Sequence, residues 1–395
     1  MSNTTTDTVL DRGVAEILPS KQTLAKVMEE KKLRVYLGID PTGAALTLGH
    51  SVVLRKLQQF ASLGHEAILL IGNGTVRIGD PTGKDASRPE LTDEEISINF
   101  QNWKEQASKV LDFTSIKIKK NGDWLDALTY ADIVKLLAKT TVGQLMERDM
   151  FQKRVTEEKP IHGHEIIYPL LQGYDSVAMD VDLEIGGSDQ LFNMMMGRTL
   201  QKEYNNKEKW VLTTPLIVGT DGRKMSKSYG NFVALTDEPG SMYGKLMSIR
   251  DESIMPYFEV LTDTSNEDLR ATQDALQAGK NPITTKKQLA HTITQMYHGV
   301  KKADEAQEHF EKTVQDNQLP ETMPQVSLGK TPLTILEALK IIAPDKSSSQ
   351  LRRLIEEGGV TVFPDEEKPR GVATMIDPVK TTVIKLGKRV YVQIV

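Results

Sequence analysis

A β-rich run, an amphipathic helix pattern and a second apolar run follow one another early in the chain. The first run is LRVYLGI at 33–39, the helix pattern covers 48–63, and the second run is AILLI at 67–71. The second run has no polar face, as expected for a strand that is covered on both sides. This order predicts a βαβ unit, and with it a parallel sheet with helices on both faces.

The alternation continues through the first half of the chain and then stops. Two more strand-like runs lie at 114–119 and 177–185. Helical patterns fill the other intervals, at 6–31, 92–112, 129–150 and 164–175. After about residue 236 the chain becomes polar and helical, 318–332 is rich in proline and other breakers, and the last 65 residues return to short strands.

These changes predict an α/β fold class with three parts. The first is a Rossmann-like parallel-sheet domain, the second is an α-helical domain, and the third is a small α+β domain. The predicted boundaries are 1–232 with an insert near 115–165, then 233–320, a linker at 321–332, and 333–395.

Bulk properties exclude several classes of protein. The chain has no cysteine, which excludes disulfides, thiolate metal sites and a cysteine nucleophile. Its net charge is −5, so nucleic-acid contacts would have to use local basic patches. No apolar run is long enough to cross a membrane, and the N-terminal segment lacks the features of a signal peptide. A cytoplasmic protein is therefore expected.

The loop after the first predicted strand carries the segment DPTGAALTLGHS at 40–51. It leads into a predicted helix whose first turn holds Gly49 and His50. A helix N-terminus presents unpaired N–H groups and the positive end of the helix dipole, so it can bind a phosphate. The residues alone leave a second interpretation open, in which Thr47 is an N-cap followed by a surface histidine.

A second segment, GTDGRKMSKSYGN at 219–231, combines three glycines with two lysines three residues apart. Lys224 and Lys227 on a flexible loop can follow the charge that builds on a leaving pyrophosphate. They would then stabilise a transition state more than the ground state. From composition alone, a solvated basic loop or a nucleic-acid patch is the alternative.

Together the two segments resemble the paired signatures of class I aminoacyl-tRNA synthetases. KMSKS at 224–228 matches the second signature at every letter, and TLGH at 47–50 matches the HIGH signature at its last two residues. Thr47 stands where the family has a histidine, so a hydroxyl donor replaces an imidazole. The preceding Asp-Pro-Thr is typical of the tyrosyl branch. The catalytic side chains that the resemblance implies are Thr42, Thr47, His50, Lys84, Arg88, Lys224 and Lys227.

Three polar side chains, Tyr168, Gln172 and Asp175, recur at i, i+4 and i+7 on an otherwise apolar predicted helix. The spacing puts them on one face, where buried polar groups need partners. A bound polar ligand and another polar segment both satisfy that need. The resemblance to tyrosyl-tRNA synthetases implies the ligand: Asp175 and Tyr36 would meet the phenolic hydroxyl of tyrosine. The tyrosine-binding set implied in this way is Tyr36, Asp40, Asp80, Tyr168, Gln172, Asp175 and Gln190, with the α-ammonium held by Tyr168, Gln172 and Asp80.

The segment EIGGSDQ at 184–190 adds to the expected nucleotide site. Its glycine pair permits close backbone approach, and Asp189 can accept from ribose hydroxyls. The ATP-binding set that the resemblance implies is Gly38, Gly49, His50, Gly187, Asp189, Lys224, Met225, Ser226 and Lys227. The family usually has glutamine where Glu184 stands, so no role is predicted for Glu184.

Other positions complete the expected chemistry. Lys84 and Arg88 resemble the mobile phosphate-contacting cations of the family, although a solvated charged loop also fits them. His162 and His164 are expected on the surface, and no metal site is predicted in the chain itself. Mg²⁺ is expected to arrive with ATP.

The C-terminal part resembles the S4-type RNA-binding fold, with Arg352 and Arg353 as the RNA-binding residues. The resemblance as a whole implies tyrosine, ATP and tRNA(Tyr) as substrates, and a homodimer whose interface lies in the 115–165 insert. Three other interpretations are a tryptophanyl-type synthetase, a catalytically impaired synthetase-derived RNA-binding protein, and a nucleotidyltransferase acting on a small molecule. Tyr36, Asp175 and the S4-like tail favour the tyrosyl interpretation.

Overall fold

The computed structural model describes residues 5–43, 45–82, 91–312, 323–387 and 390–395. The chain forms two compact units. One comprises Met1–Glu238 with Lys245–Tyr297, and the other comprises Pro239–Gly244 with His298–Val395. These units are not identical with the predicted domains, whose boundaries stay a prediction.

The first unit is built on a six-stranded sheet in the order β1-β6-β5-β2-β3-β4. Its strands are β1 (Glu16–Leu18), β2 (Arg34–Ile39), β3 (Glu66–Ile71), β4 (Ile116–Lys120), β5 (Leu183–Gly187) and β6 (Trp210–Thr214). Neighbouring strands are parallel except at one edge, where β1 runs antiparallel to β6. The parallel sheet and the α/β fold class are therefore confirmed.

Helices connect these strands and extend the first unit. They are α1 (Thr6–Asp11), α2 (Lys21–Glu30), α3 (Leu48–Ser62), α4 (Asp93–Ala107), α5 (Gly122–Leu125), α6 (Tyr130–Leu137), α7 (Val142–Met146), α8 (Asp149–Thr156), α9 (Gly163–Met179) and α10 (Leu191–Asn205). Further along the chain come α12 (Ile254–Leu261), α13 (Asn266–Gln277) and α14 (Pro282–His298), whereas most of α11 (Pro239–Met247) belongs to the second unit. Short 3₁₀ helices lie at Thr75–Arg77, Ser188–Gln190 and Asp251–Ser253.

Three details differ from the sequence expectation. The 6–31 segment contains the short strand β1 between its two helices. Residues 177–179, expected in a strand, are the last turn of α9, which ends where Asp180 adopts a left-handed conformation with φ 48°. The 129–150 pattern is broken into α6, α7 and the start of α8, because Thr129 and Thr141 each open a new helix with a capping box.

The sheet topology determines where functional side chains collect. Strands β2 and β5 are adjacent and parallel, so their carboxyl ends lie at the same edge of the sheet. The loop from 40 to 47 leaves β2 at that edge, and the 3₁₀ turn Ser188–Gln190 leaves β5 there. This edge is the usual place for a ligand site in an open parallel sheet.

The second unit contains α15 (Val300–Phe310), α16 (Ile335–Ile342) and α17 (Ser348–Glu356). Its strands are β7 (Gln325–Val326), β8 (Leu333–Thr334), β9 (Val360–Phe363), β10 (Met375–Ile376), β11 (Val383–Leu386) and β12 (Val390–Ile394). The larger sheet has the order β7-β12-β11-β9, and β8 pairs with β10. Apolar residues of α16, α17 and these strands form one core, so the predicted return to short strands is confirmed.

In the parts of the chain that the structure describes, no helix has both the length and the apolar character needed to cross a membrane.

Candidate active site

A cavity of about 840 Å³ opens at the carboxyl edge of β2 and β5 in the first unit. Most predicted site residues line it, although they come from segments far apart in the sequence. The predicted residues in its wall are Gly38, Asp40, Thr42, Thr47, Gly49, His50, Asp80, Tyr168, Gln172, Asp175, Gly187, Asp189, Gln190, Lys224, Met225, Ser226 and Lys227. Lys84 and Arg88 lie outside the described residues.

Asp175 is a buried carboxylate in this wall, 2% exposed. The indole Nε1 of Trp124 donates to Asp175 Oδ1 at 2.8 Å, and Nδ2 of Asn121 donates to Oδ2 at 3.2 Å. Burial raises the pKa of Asp175 well above its ordinary value, while these two hydrogen bonds oppose the shift. Both neighbours are donors, so both oxygens of Asp175 act as acceptors with a fixed orientation, and each keeps a second lone pair for a ligand hydroxyl.

Tyr36 does not line the cavity, although it was expected to contact the substrate. Its side chain is fully buried, and its hydroxyl lies 2.9 Å from Ser176 Oγ. Burial, with the nearby charges of Glu184 and Asp175, raises the pKa of Tyr36 well above its ordinary value. In this structure its hydroxyl belongs to a buried network behind the cavity wall, so direct contact with a substrate stays a prediction.

Tyr168 and Asp40 form the next part of the wall. The Tyr168 hydroxyl donates to Asp40 Oδ2 at 2.8 Å, and Thr75 Oγ1 donates to Asp40 Oδ1 at 2.7 Å. Burial and the neighbouring Asp40 raise the pKa of Tyr168 well above its ordinary value. The phenol therefore stays neutral at physiological pH and keeps its role as a donor.

Asp80 lies on the same side of the cavity. It accepts from the Thr82 hydroxyl at 2.6 Å and from Gln190 Nε2 at 2.8 Å. Behind it, the buried guanidinium of Arg148 donates to Thr82 Oγ1 at 2.6 Å. Asp80, Asp40 and Tyr168 thus form a polar wall that can accept hydrogen bonds from a bound ammonium group.

His50, in the first turn of α3, is held by Thr47, which stands where the family has the first histidine of its HIGH signature. The backbone N–H of Thr47 donates to His50 Nδ1 at 3.1 Å, and the Thr47 hydroxyl lies 2.8 Å from the same atom. Because Nδ1 accepts from a backbone N–H, a neutral ring carries its proton on Nε2. Burial and the nearby Lys227 lower the pKa of His50 to about 4, so the ring is neutral at pH 7. His50 thus offers Nε2–H as a donor at a helix N-terminus.

The loop that contains KMSKS is held in an ordered conformation by Asn231, which is 3% exposed. Its Nδ2 donates to Asp221 Oδ1 at 2.7 Å and to the Lys224 carbonyl at 3.1 Å, and its Oδ1 accepts from the Ser226 N–H at 2.8 Å. Hydrogen bonds, first of all the one from Asn231, lower the pKa of Asp221 to about 2. The KMSKS loop therefore has a fixed anchor beside its two lysines.

The two lysines of this loop reach toward different parts of the cavity. Lys224 Nζ donates to Asp189 Oδ2 at 2.7 Å, so the side chains expected at the pyrophosphate and at the ribose are in direct contact. Lys227 Nζ lies 5.9 Å from the centre of the Trp103 ring, which in turn is 5.9 Å from the His50 ring. The loop thus brings a cation next to the α3 N-terminus.

Several residues in the site were not found from the sequence. Asn121 and Trp124 hold Asp175, Asn231 holds the lysine loop, and Lys209 holds Glu184. Asn231 had a usable signal, because it closes the KMSKS segment. Asn121, Trp124 and Lys209 reach the site from other elements, and no local pattern marks them.

The remaining predicted residues are not among those that line this cavity. Arg352 and Arg353 are exposed on α17 in the second unit, and Arg353 Nε donates to Glu357 at 2.8 Å. His162 and His164 stack on each other at the start of α9, with ring centres 5.7 Å apart. Within the described ranges, no group of three or more His, Asp or Glu is arranged to hold a metal ion.

Comparison with known proteins separates the interpretations that the residues left open. Residues 28–315 match the family described as tRNA synthetases class I (W and Y). The chain is 43% identical over 388 residues to the tyrosine–tRNA ligase of Thermotoga maritima, covering 98% of this chain and 96% of that protein. It is 44% identical to tyrosine–tRNA ligase 2 of Photorhabdus laumondii, covering 94% and 93%. The chain belongs to the class I tyrosyl-tRNA synthetase family.

Solved structures of tyrosyl-tRNA synthetases have the same fold. The enzyme of Archaeoglobus fulgidus, complexed with L-tyrosine, aligns with a TM-score of 0.61 at 21% identity, covering 76% of this chain and 98% of that one. A truncated mitochondrial enzyme of Aspergillus nidulans aligns with a TM-score of 0.63 at 19% identity, covering 77% and 92%. The tyrosyl-tRNA synthetase interpretation made from the sequence is thus confirmed at the level of family and fold.

Proposed function

We propose that this chain activates L-tyrosine with ATP and transfers the tyrosyl group to tRNA(Tyr). One observation carries the proposal: a single cavity brings a buried hydrogen-bond acceptor, Asp175, together with the signature residues His50, Lys224 and Lys227. An acceptor of this kind suits the hydroxyl of a tyrosine ring, and the signature residues suit a triphosphate.

Asp175 supplies the selectivity for tyrosine. A tyrosine ring donates its phenolic proton to Asp175, whose oxygens are already oriented by Trp124 and Asn121. A phenylalanine ring would leave that buried acceptor without its ligand partner. Sites that are built around a substrate hydroxyl discriminate strongly against analogues that lack it, because their own polar groups are left unpaired.

In the first step, the tyrosine carboxylate attacks the α-phosphorus of ATP. A bond forms between the carboxylate oxygen and phosphorus, the bond to the bridging oxygen breaks, and pyrophosphate leaves with that electron pair. A carboxylate is already a nucleophile at neutral pH, so no general base is required. Catalysis then consists of positioning and of charge stabilisation by Thr42, His50 Nε2–H and the loop lysines. The same roles are proposed for Lys84 and Arg88 on the strength of the family resemblance.

In the second step, a hydroxyl of the terminal adenosine of tRNA attacks the tyrosyl carbonyl carbon. The new ester bond forms as the bond to the phosphate oxygen of AMP breaks, AMP leaves with that electron pair, and the proton of the hydroxyl passes to the departing phosphate or to water. The exposed Arg352 and Arg353 are proposed to contact the phosphate backbone of the tRNA, and the S4-like assignment of 333–395 belongs to this proposal.

Mg²⁺ is proposed to enter with ATP as part of the substrate. Mg²⁺ is usually held by substrate phosphates, one or two carboxylates and several waters. The cavity wall offers the carboxylates of Asp80 and Asp189, and no group of three acidic or histidine side chains in the described segments forms a cage. This donor set fits a metal that is carried mainly by the triphosphate.

A homodimer in the cytoplasm is also proposed, with its interface in the 115–165 insert. Helices α6 to α8 expose large apolar side chains: Tyr130 is 85% exposed, Val142 is 69% and Val155 is 54%. Large apolar side chains left exposed on three successive helices support an interface between subunits in this region. Sedimentation should therefore give twice the mass of 44.0 kDa, and Val142→Glu should give the monomer mass with an unchanged circular dichroism spectrum. A wild-type protein that sediments as a monomer would refute the dimer.

The test of the activity is ATP–pyrophosphate exchange with each of the twenty amino acids in turn. We expect exchange with tyrosine and transfer of labelled tyrosine to tRNA(Tyr). Exchange with tryptophan instead would favour the tryptophanyl-type interpretation. Exchange with no amino acid would favour the impaired RNA-binding protein, and would refute the proposal.

A further inference from the structure

Glu184 occupies the position where the family usually has glutamine, and the structure pairs it with a buried lysine. Glu184 is 2% exposed, Lys209 is fully buried, and the Lys209 ammonium is in contact with Glu184 Oε2. Glu184 lines the cavity and Lys209 lies behind it. A buried ion pair directly behind a ligand site requires an explanation, because removing two charges from water is costly.

Lys209 is surrounded by hydrogen-bond acceptors. Its Nζ donates to Ser176 Oγ at 2.8 Å and to the Met194 carbonyl at 3.1 Å, in addition to Glu184. These three acceptors match the three N–H bonds of an ammonium group. Burial lowers the pKa of Lys209, and the adjacent Glu184 opposes that shift. The ammonium in turn donates to Glu184 Oε2, so Glu184 is the acceptor of the pair.

A carboxylate can accept hydrogen bonds but cannot donate them. The carboxylate of Glu184 therefore determines which end of the Gln172 amide faces it. Glu184 Oε1 accepts from Gln172 Nε2 at 3.0 Å. The other end of the amide, Oε1, accepts from Asn193 Nδ2 at 3.0 Å. Because Glu184 must face the NH₂ group, the carbonyl oxygen of Gln172 has to face the other way. A glutamine at position 184 could donate or accept, and would leave both orientations open.

The side on which the Gln172 carbonyl lies is the side expected to hold the α-ammonium of tyrosine. Asn193 Nδ2 also donates to Gln190 Oε1 at 3.1 Å, and Gln190 Nε2 donates to Asp80 Oδ2 at 2.8 Å. Asn193 thus donates in both directions, to Gln172 on the side of the ion pair and to Gln190 on the side of Asp80. A carbonyl oxygen there attracts an ammonium group, whereas an NH₂ group would repel it.

We propose that the Lys209–Glu184 ion pair is a positioning element that fixes the Gln172 amide with its oxygen toward the amino-group subsite. The proposal rests on the proposed function, since it assumes that the bound amino acid is tyrosine. Two different substitutions should have the same effect. Glu184→Gln removes the obligate acceptor. Lys209→Met leaves a buried Glu184 that takes up a proton and becomes a donor, because an uncompensated buried carboxylate is unfavourable.

The experiment compares two ligands that differ by one group. Binding of L-tyrosine and of 3-(4-hydroxyphenyl)propionate, which lacks the amine, is measured by calorimetry on the full chain. In Glu184→Gln and in Lys209→Met we expect the Kd of L-tyrosine to rise by about tenfold or more, as for loss of a hydrogen bond to a charged group. We expect the Kd of the propionate to change by less than about threefold. In pyrophosphate exchange the KM for tyrosine should rise while the KM for ATP stays the same.

Glu165→Gln is the matched control, because Glu165 forms another buried ion pair, with Arg154, and both side chains are 2% exposed. This change should lower stability without altering the ratio of the two Kd values. If a single variant does not fold, the double variant Glu184→Gln/Lys209→Met carries no buried charge at the pair and should show the same selective loss. Equal weakening of both ligands, or no weakening of either, would overturn the proposal. Failure of the wild type to bind L-tyrosine would instead refute the proposed function.

Discussion

The backbone N–H of Thr47 donates to Nδ1 of His50 at 3.1 Å, and the Thr47 hydroxyl lies 2.8 Å from the same nitrogen. The side chain is 4% exposed, so its hydroxyl is used within the protein. The family resemblance implies that Thr47 is one of the catalytic side chains. From this geometry we infer an additional role, in which Thr47 orients the histidine ring and His50 Nε2–H is offered to a ligand.

This geometry predicts a modest effect for Thr47→Val. The variant keeps the backbone donor to Nδ1 and loses the hydroxyl, so the rate of tyrosyl-adenylate formation should fall about 2- to 10-fold. The KM for ATP should hardly change. Thr47→Ser keeps the hydroxyl and should retain the wild-type rate. A large rise in the KM for ATP with Thr47→Val would instead support direct phosphate binding by the threonine.

The protonation state of His50 gives a second prediction. Its pKa is lowered to about 4, below the ordinary value of 6.5, so the folded chain binds fewer protons than the unfolded chain between these values. The stability that this group contributes is therefore fully present above about pH 6.5, and it is lost as the pH falls toward 4. In an NMR titration the His50 ring should show its midpoint near pH 4.

The control for this prediction is His50→Gln, which removes the titrating group and assigns its resonance. Between pH 7 and pH 5, the unfolding free energy of the wild type should fall by more than that of the variant. A His50 midpoint near pH 6.5 would contradict the burial and the Lys227 repulsion described above.

Some of this site was predictable because its residues are close in sequence. His50, the KMSKS loop and the stripe of Tyr168, Gln172 and Asp175 each lie within one short segment, so their spacing carries the information. The βαβ order likewise predicted a parallel sheet, because each strand and helix has its own local pattern. The edge strand β1 was missed because its three residues are too few to show a period.

The residues that tune the site could not be found in this way. Trp124 and Asn121 meet Asp175 from a different segment, and Lys209 meets Glu184 from the position just before β6. These contacts join residues that are 51, 54 and 25 positions apart, and they exist only because the sheet brings β4, α9 and β6 together. The buried position of Tyr36 is of the same kind, since it depends on Ser176 and not on its own strand.

Asp175 should determine the choice between tyrosine and phenylalanine. For Asp175→Ala we expect kcat/KM for tyrosine to fall by about 10- to 100-fold, because a hydrogen bond to a charged group is lost. The value for phenylalanine should fall by less than about threefold. Pyrophosphate exchange with each amino acid gives both numbers. Asp123→Asn, at an exposed carboxylate on α5, is the control and should leave the ratio unchanged.

Retention of normal discrimination in Asp175→Ala would refute the assigned role. Circular dichroism is needed alongside, because removal of Asp175 takes away the acceptor of the Trp124 indole and leaves Asn121 Nδ2 with its bond to Thr75 Oγ1 alone. A variant that is folded but no longer discriminates tyrosine from phenylalanine would show that Asp175 acts in recognition and is not needed for folding.

Asn231 should be required for the rate of activation and not for tyrosine binding. Asn231→Ala removes the hydrogen bonds to Asp221, the Lys224 carbonyl and the Ser226 N–H, which hold the lysine loop. We expect the rate of adenylate formation to fall about tenfold or more. The Kd of L-tyrosine should stay within about twofold of the wild type. Limited proteolysis should cut the loop of the variant faster, and an unchanged rate with an intact loop would contradict the anchor.

The last prediction concerns the stability of the first unit. Helix α12 ends at Leu261 without a backbone N–H cap, and Arg12 donates to carbonyls at that end. Its guanidinium reaches Phe258 O at 3.1 Å, Glu259 O at 2.8 Å, Thr262 O at 2.8 Å and Thr264 O at 2.5 Å. One side chain thus satisfies carbonyls that a helix leaves unpaired and ties the N-terminal segment to them.

Arg12→Met keeps the packing volume of the side chain and removes all four hydrogen bonds. We expect the free energy of unfolding to fall by about 2–4 kcal/mol, measured by urea denaturation. Arg12→Lys keeps the charge but not the forked geometry, so its free energy of unfolding should lie between those of the wild type and Arg12→Met. The Kd of L-tyrosine in the folded variants should match the wild type, because Arg12 is absent from the cavity wall. An Arg12→Met protein as stable as the wild type would show that solvent satisfies the end of α12 equally well.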